Sequence, residues 1–131
     1  MGTNYYLYEK PPCPCCKREY PELHIGKSSG GWCFSLHIYP EEGINDLKDW
    51  KILWVKQDAV IKDEYGKEIS PVAMLDIIKN REWVDRLISS EWYEENQAEP
   101  GPNGLARSKV DGRRCIGHGK GTWDLFVGEF S

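Results

Sequence analysis

No apolar run in the sequence approaches the ~18 residues needed to cross a bilayer, and the opening Met1-Gly2-Thr3-Asn4-Tyr5-Tyr6 has neither the basic flank nor the apolar block of an export signal. A soluble, cytoplasmic protein is expected. Excess positive charge is also missing: 17 Lys and Arg stand against 21 Asp and Glu, a net charge of −4. A phosphate backbone therefore meets net repulsion, which disfavours nucleic acid as the general partner. Repeats and low-complexity tracts are absent, which excludes solenoids and fibres. The cysteine count is five, an odd number that does not suit a disulfide framework, so reduced thiols are expected. What is present is enough apolar material for one core: 131 residues, 40% hydrophobic and 12% aromatic, a single domain over 1–131.

Three of the cysteines lie in Pro12-Cys13-Pro14-Cys15-Cys16-Lys17, where the spacing of Cys13 and Cys16 lets a tight turn aim two sulfurs at one zinc ion. This pair resembles half of a zinc-ribbon site. A closed structural site needs four ligands, and Cys115-Ile116-Gly117-His118 supplies a second pair at the same spacing. Cys13, Cys16, Cys115 and His118 are thus the expected ligands of a structural Zn2+, set against the common alternative that free cysteines are simply small buried hydrophobes.

His37 and His24 are the substitute ligands. Leu23-His24-Ile25-Gly26-Lys27 and Trp32-Cys33-Phe34-Ser35-Leu36-His37-Ile38 both alternate apolar and polar residues, as half-buried strands do, with Ser28-Ser29-Gly30-Gly31 as the turn between them. A four-residue loop would pair Lys27 with Trp32, Ile25 with Phe34 and Leu23 with Leu36. His24, Cys33, Ser35 and His37 would then share the opposite face. Cys33 and His37, about 13 Å apart along a regular strand, cannot bind one ion.

Thr3 to Tyr8 reads as a first strand, stopped by Pro11-Pro12. Leu47, Trp50, Leu53 and Trp54 form one helical stripe, capped by Asn45 or Asp46. A small hairpin is expected over residues 59–69, with Gly66 in its turn. Ser70-Pro71 opens a second helix, with Ile69 stapled to Met74. Trp83, Val84, Leu87 and Ile88 make a further stripe, followed by an acidic stretch from Glu91 to Glu99 that carries Trp92 and Tyr93, and by a Pro/Gly loop at 100–104. Thr122 to Val127 reads as a last strand, paired centrally or beside the first. The fold expected is α+β: an antiparallel sheet with two or three helices packed on one face and a zinc-ribbon-like knuckle.

Two glycine-rich segments, Gly26-Lys27-Ser28-Ser29-Gly30-Gly31 and Gly117-His118-Gly119-Lys120-Gly121-Thr122, expose backbone N–H groups beside a lysine. Neither completes a P-loop: Pro21 stands where the first glycine of the motif is needed, and the second segment has no Gly-Lys-Ser/Thr. Structural turns are the simpler role, with a small anion pocket near Arg107, Arg113 and Arg114 as the alternative. His118 with Cys33, or His24 with Ser35, can be drawn as base and nucleophile, but no hydrolase signature flanks either pair.

The start Met1-Gly2-Thr3-Asn4-Tyr5-Tyr6-Leu7, the block from His24 to Phe34 and the block from Cys115 to Asp124 resemble a family of small phage and prophage-encoded proteins of no established activity. The resemblance covers the whole chain. It implies a host-cell cytoplasmic protein that acts by binding, holding a host enzyme or a defence complex such as a CRISPR effector in an inactive state, or assisting phage DNA metabolism. The expectation is a zinc-stabilised binding protein whose acidic and aromatic surface meets a host protein. The alternatives are a zinc-dependent or Cys/His hydrolase, and a nucleic-acid accessory protein that gathers Lys17, Arg18, Lys27, Arg107, Lys109, Arg113, Arg114 and Lys120 on one face.

Overall fold

The computed structural model describes residues 2–9, 23–56, 58–83 and 89–130. Four early strands build the first part of the sheet: β1 (Gly2–Glu9), β2 (Leu23–Ser29), β3 (Phe34–His37) and, after helix α1 (Leu47–Trp54), β4 (Ala59–Asp63). The short β5 (Glu68–Ile69) leads into α2 (Pro71–Lys79), and α3 (Ser90–Glu95) precedes a small hairpin of β6 (Ala98–Pro100) and β7 (Ala106–Ser108). The chain closes with β8 (Cys115–His118) and β9 (Trp123–Phe126). Seven strands form one sheet in the order β5-β4-β1-β2-β3-β9-β8, antiparallel except for the parallel pair β3–β9, while β6 and β7 form a separate two-stranded sheet. The fold is α+β with a mostly antiparallel sheet, as the sequence implied.

Local chemistry explains the elements that were legible. Asp46 caps α1 by accepting the Leu47 N–H at 2.7 Å, and Leu47, Trp50 and Trp54 recur at helical spacing on its buried side. Ser70 caps α2 through its Oγ and the Ala73 N–H (3.1 Å), with Pro71 at the first helical position. Both helices cover one face of the sheet: Trp50, Trp54, Met74 and Ile78 pack with Tyr5, Leu7, Ile25, Phe34, Leu36 and Ile61 in a single core. Helix α3 lies elsewhere, against β6, with Trp92 on Trp32 (ring centroids 5.4 Å).

The β2–β3 register differs from the sequence expectation. Gly26 pairs with Leu36 and Lys27 with Ser35, where Lys27 was expected opposite Trp32. The reason is that Ser28 and Ser29 are strand residues, paired with Thr3 and Gly2 of β1, so the turn starts later and carries Gly31 at φ +82°. Trp32 bridges instead to Ala106 of the β6–β7 hairpin. An irregularity between Tyr5 and Tyr6 places Gly26 opposite Tyr5 and His24 opposite Tyr6. A Cβ on Gly26 would lie 2.1 Å from the Ser35 carbonyl oxygen, so this glycine serves strand packing and not phosphate binding.

The zinc-ribbon-like knuckle expected at Cys13 and Cys16 lies outside the described residues, as do Val84, Leu87 and Ile88 of the expected third stripe. Trp83 is not helical; its N–H donates to the Asn103 carbonyl (2.9 Å). The last strand pairs with β3 and β8, not with β1. Within the described residues no helix is long and apolar enough to cross a membrane.

Candidate metal centre

The face of the sheet turned away from α1 and α2 carries the chemistry, in two clusters. The first stands on β8 and β9, where the pairing of His118 with Asp124 and of Cys115 with Phe126 turns Cys115, His118 and Asp124 toward one another. One ligand atom from each lies within 4.8 Å of the other two, so the group can hold a metal ion. Cys115 and Asp124 are each 1% exposed. Asp111 accepts the backbone N–H groups of Arg113, Arg114 and Cys115 at 2.8, 2.8 and 3.2 Å, and so fixes the turn that presents Cys115. Those N–H bonds, from Arg114 first, hold the Asp111 carboxyl below its ordinary range.

Asp124, Arg107 and Glu99, none of which the sequence reading placed at a metal site, complete this cluster. Asp124 sits in a strand among apolar neighbours, the position where a carboxylate must have partners. Arg107 of β7 donates from Nε to Asp124 Oδ1 (2.9 Å), and the Ser108 N–H donates to Oδ2 (3.0 Å). His118 lies between carboxylates, Nδ1 at 2.8 Å from Asp124 Oδ1 and Nε2 at 3.2 Å from Glu99 Oε1. A metal-bound histidine usually donates from its outer nitrogen to a carboxylate, and Glu99 stands where it would take that hydrogen if His118 Nδ1 faced an ion. Burial pushes the Cys115 and Cys33 thiols up to about 11, in both cases with help from the Asp124 charge. Neither is an activated nucleophile as a free thiol.

The Cys33–His118 and His24–Ser35 pairs drawn from sequence do not form; the His118 nitrogens meet Asp124 and Glu99. Arg107, one of the three arginines expected near an anion pocket, is committed to Asp124 and to the Gly121 and Trp123 carbonyls. The glycines of the 117–121 segment make room for an indole: a Cβ on Gly119 would stand 1.8 Å from Trp123 Nε1.

The second cluster joins the substitute ligands to each other. His24 Nδ1 and His37 Nδ1 are 3.0 Å apart, while His24 Nε2 meets Asn4 Oδ1 at 2.9 Å. Tyr39 stacks on His37 (centroids 4.2 Å), and its hydroxyl accepts the His24 backbone N–H at 3.0 Å. The Trp50 indole N–H donates to the His37 carbonyl (2.8 Å), tying this cluster to α1 through the sheet. The pair borders a cavity of about 670 Å³ lined also by Tyr6, Glu41, Glu129 and Phe130. Burial, then the neighbouring His37, lowers His24 to about 4; burial also lowers His37, against the opposing pull of Glu41 and Glu129.

Comparison of the chain with protein-family models, curated proteins and solved structures finds no match.

Proposed function

We propose that this chain is a small, phage-encoded, zinc-stabilised binding protein that inhibits or modulates a host protein, such as a CRISPR-type defence complex. The observation that carries the reading is the enclosure of the Cys115–His118–Asp124 group. A catalytic zinc keeps an open position, whereas a structural one is shut in by protein ligands, and here the thiol and carboxylate come from residues 1% exposed. Cys13 and Cys16 are the further ligands in this proposal, with Asp124 positioned either to bind the ion or to orient His118. Metal at this point would join distant parts of the chain and contribute folding free energy directly.

Binding rather than chemistry is also supported by the inert thiols and by exposed Glu91, Glu94 and Glu95 on α3, a surface suited to a basic patch on a partner. The resemblance to phage and prophage proteins supplies the host as the source of that partner. The test has two arms. Elemental analysis of the full chain is expected to give zinc that is lost on Cys115→Ser and on His118→Ala. Expression in cells defended by a CRISPR effector is expected to raise phage plating efficiency, and reversal of the three α3 glutamates to lysine is expected to cancel that rise. Metal-free protein, or plating unchanged across several effector types, overturns the corresponding half of the proposal.

A further inference from the structure

We propose that His24 and His37 are the imidazole pair of a second, open site for a divalent transition metal, whose remaining coordination positions face the cavity beside them. The inference goes beyond the enclosed zinc of the binding-protein reading and does not depend on it.

The geometry begins with Asn4. Its side-chain oxygen stands 2.9 Å from His24 Nε2, so the ring hydrogen belongs on Nε2 and Nδ1 presents a bare lone pair. An outer nitrogen tied to a carbonyl-type oxygen is the arrangement that fixes tautomer and ring direction in metal-bound histidine. That bare Nδ1 points at the Nδ1 of His37, 3.0 Å away. Two nitrogens bound at ~2.0–2.1 Å to one ion stand about 2.9 Å apart in a square arrangement and about 3.3 Å in a tetrahedral one, so the spacing is already that of a chelating pair. With no ion bound, a hydrogen on His37 Nδ1 is given to the bare His24 Nδ1, and an ion takes its place between the two nitrogens. The Tyr39 hydroxyl takes the His24 backbone N–H, gives its own hydrogen to the His24 carbonyl (3.3 Å) and lies 3.3 Å from His37 Nδ1. Ring packing holds both imidazoles in place: Phe130 lies 4.8 Å from His24 and 5.0 Å from His37, and Tyr6 lies 5.3 Å from His24.

Electrostatics points the same way. The groups facing His37 from neighbouring segments are Glu41 and Glu129, both carboxylates lining the cavity, and they favour a cation at this spot. Burial keeps the two rings in the neutral form that ligates. Imidazole nitrogens select Zn2+, Ni2+ or Cu2+ over Mg2+ or Ca2+. The cavity, about 670 Å³ and rimmed by aromatic rings, leaves room for water or a small ligand on the ion. This openness distinguishes the site from the enclosed Cys115 group.

The experiment is a zinc titration of the full chain against a competing chelator, read alongside long-range imidazole 15N spectra. On the wild-type chain, the Nδ1 resonances of His24 and His37 are expected to move on zinc addition while His24 Nε2 stays protonated. This readout needs no variant to fold. His24→Gln or His37→Gln is expected to remove one zinc equivalent with near-ultraviolet circular dichroism retained, and Asn4→Ala to weaken that equivalent by ~10–100-fold, with Asn4→Asp restoring it. Cys115→Ser is expected to leave it bound. If both Nδ1 resonances stay still, or if the only zinc present disappears with Cys115→Ser and survives His24→Gln, this site is overturned while the enclosed zinc stands. If zinc follows His24 and His37 alone, the enclosed site fails and this one stands. A chain that takes up no zinc refutes both.

Discussion

Gly26 shows what a single residue contributes. With φ at +158° and no room for a Cβ beside the Ser35 oxygen and the Phe34 ring, it lets β2 and β3 meet at the point where His24 and His37 are set side by side. Gly26→Ala is expected to lower stability by ~1–3 kcal/mol through forced displacement of packed groups, measurable by urea denaturation. Buried thiols make a second case. The folded chain holds a proton on Cys33 up to about 11, above its ordinary value of 9.0, so the unfolded chain releases it first as pH rises. The sign follows: that contribution to stability is complete below about pH 9 and is lost as pH rises toward 11. Denaturation curves across this range are expected to show a falling midpoint whose slope lessens in Cys33→Ala and lessens further when Cys115 is replaced as well, and alkylation of the native protein at neutral pH is expected to spare Cys33.

Elements differ in how far they could be read in advance, and the difference is one of range. Helices α1 and α2 and the β4–β5 hairpin are encoded by near neighbours: Asp46 and Ser70 as caps, Trp50 and Trp54 as a stripe, Gly66 at φ +85° in the turn. The β2–β3 register depends on residues far away, because Ser28 and Ser29 belong to a strand only through Thr3 and Gly2. The same holds for the first metal-capable group. Cys115 and His118 were legible from spacing, but Asp124, Arg107 and Glu99 join them through strand pairing that no local pattern carries. The His24–His37 face was legible from alternation, and their 3.0 Å contact was not. Two experiments probe how elements are tied. Arg107→Ala leaves buried Asp124 without its cation and is expected to cost about 3–5 kcal/mol, detaching the β6–β7 hairpin from β9. Trp50→Phe removes the donor on the His37 carbonyl and is expected to cost ~1–3 kcal/mol and to shift the His37 resonances, since α1 then no longer pins that strand end.

Across the described residues the two clusters occupy one side of the sheet and helices α1 and α2 the other, so loss of metal from the cavity cluster need not disturb the core. Chelation followed with a zinc-sensitive dye is expected to proceed in two phases: a fast one from the cavity with near-ultraviolet circular dichroism unchanged, and a slow one that coincides with loss of tertiary signal. A single phase would show that the proposed sites are not both filled. The parallel pairing of Phe34 to His37 with Trp123 to Phe126 has a different consequence, for the order of events during synthesis. Until Trp123 to Phe126 leave the ribosome, β3 has a bare hydrogen-bonding edge beside earlier strands. A chaperone, or a second nascent chain, therefore meets this protein first as an incomplete sheet seeking one more strand.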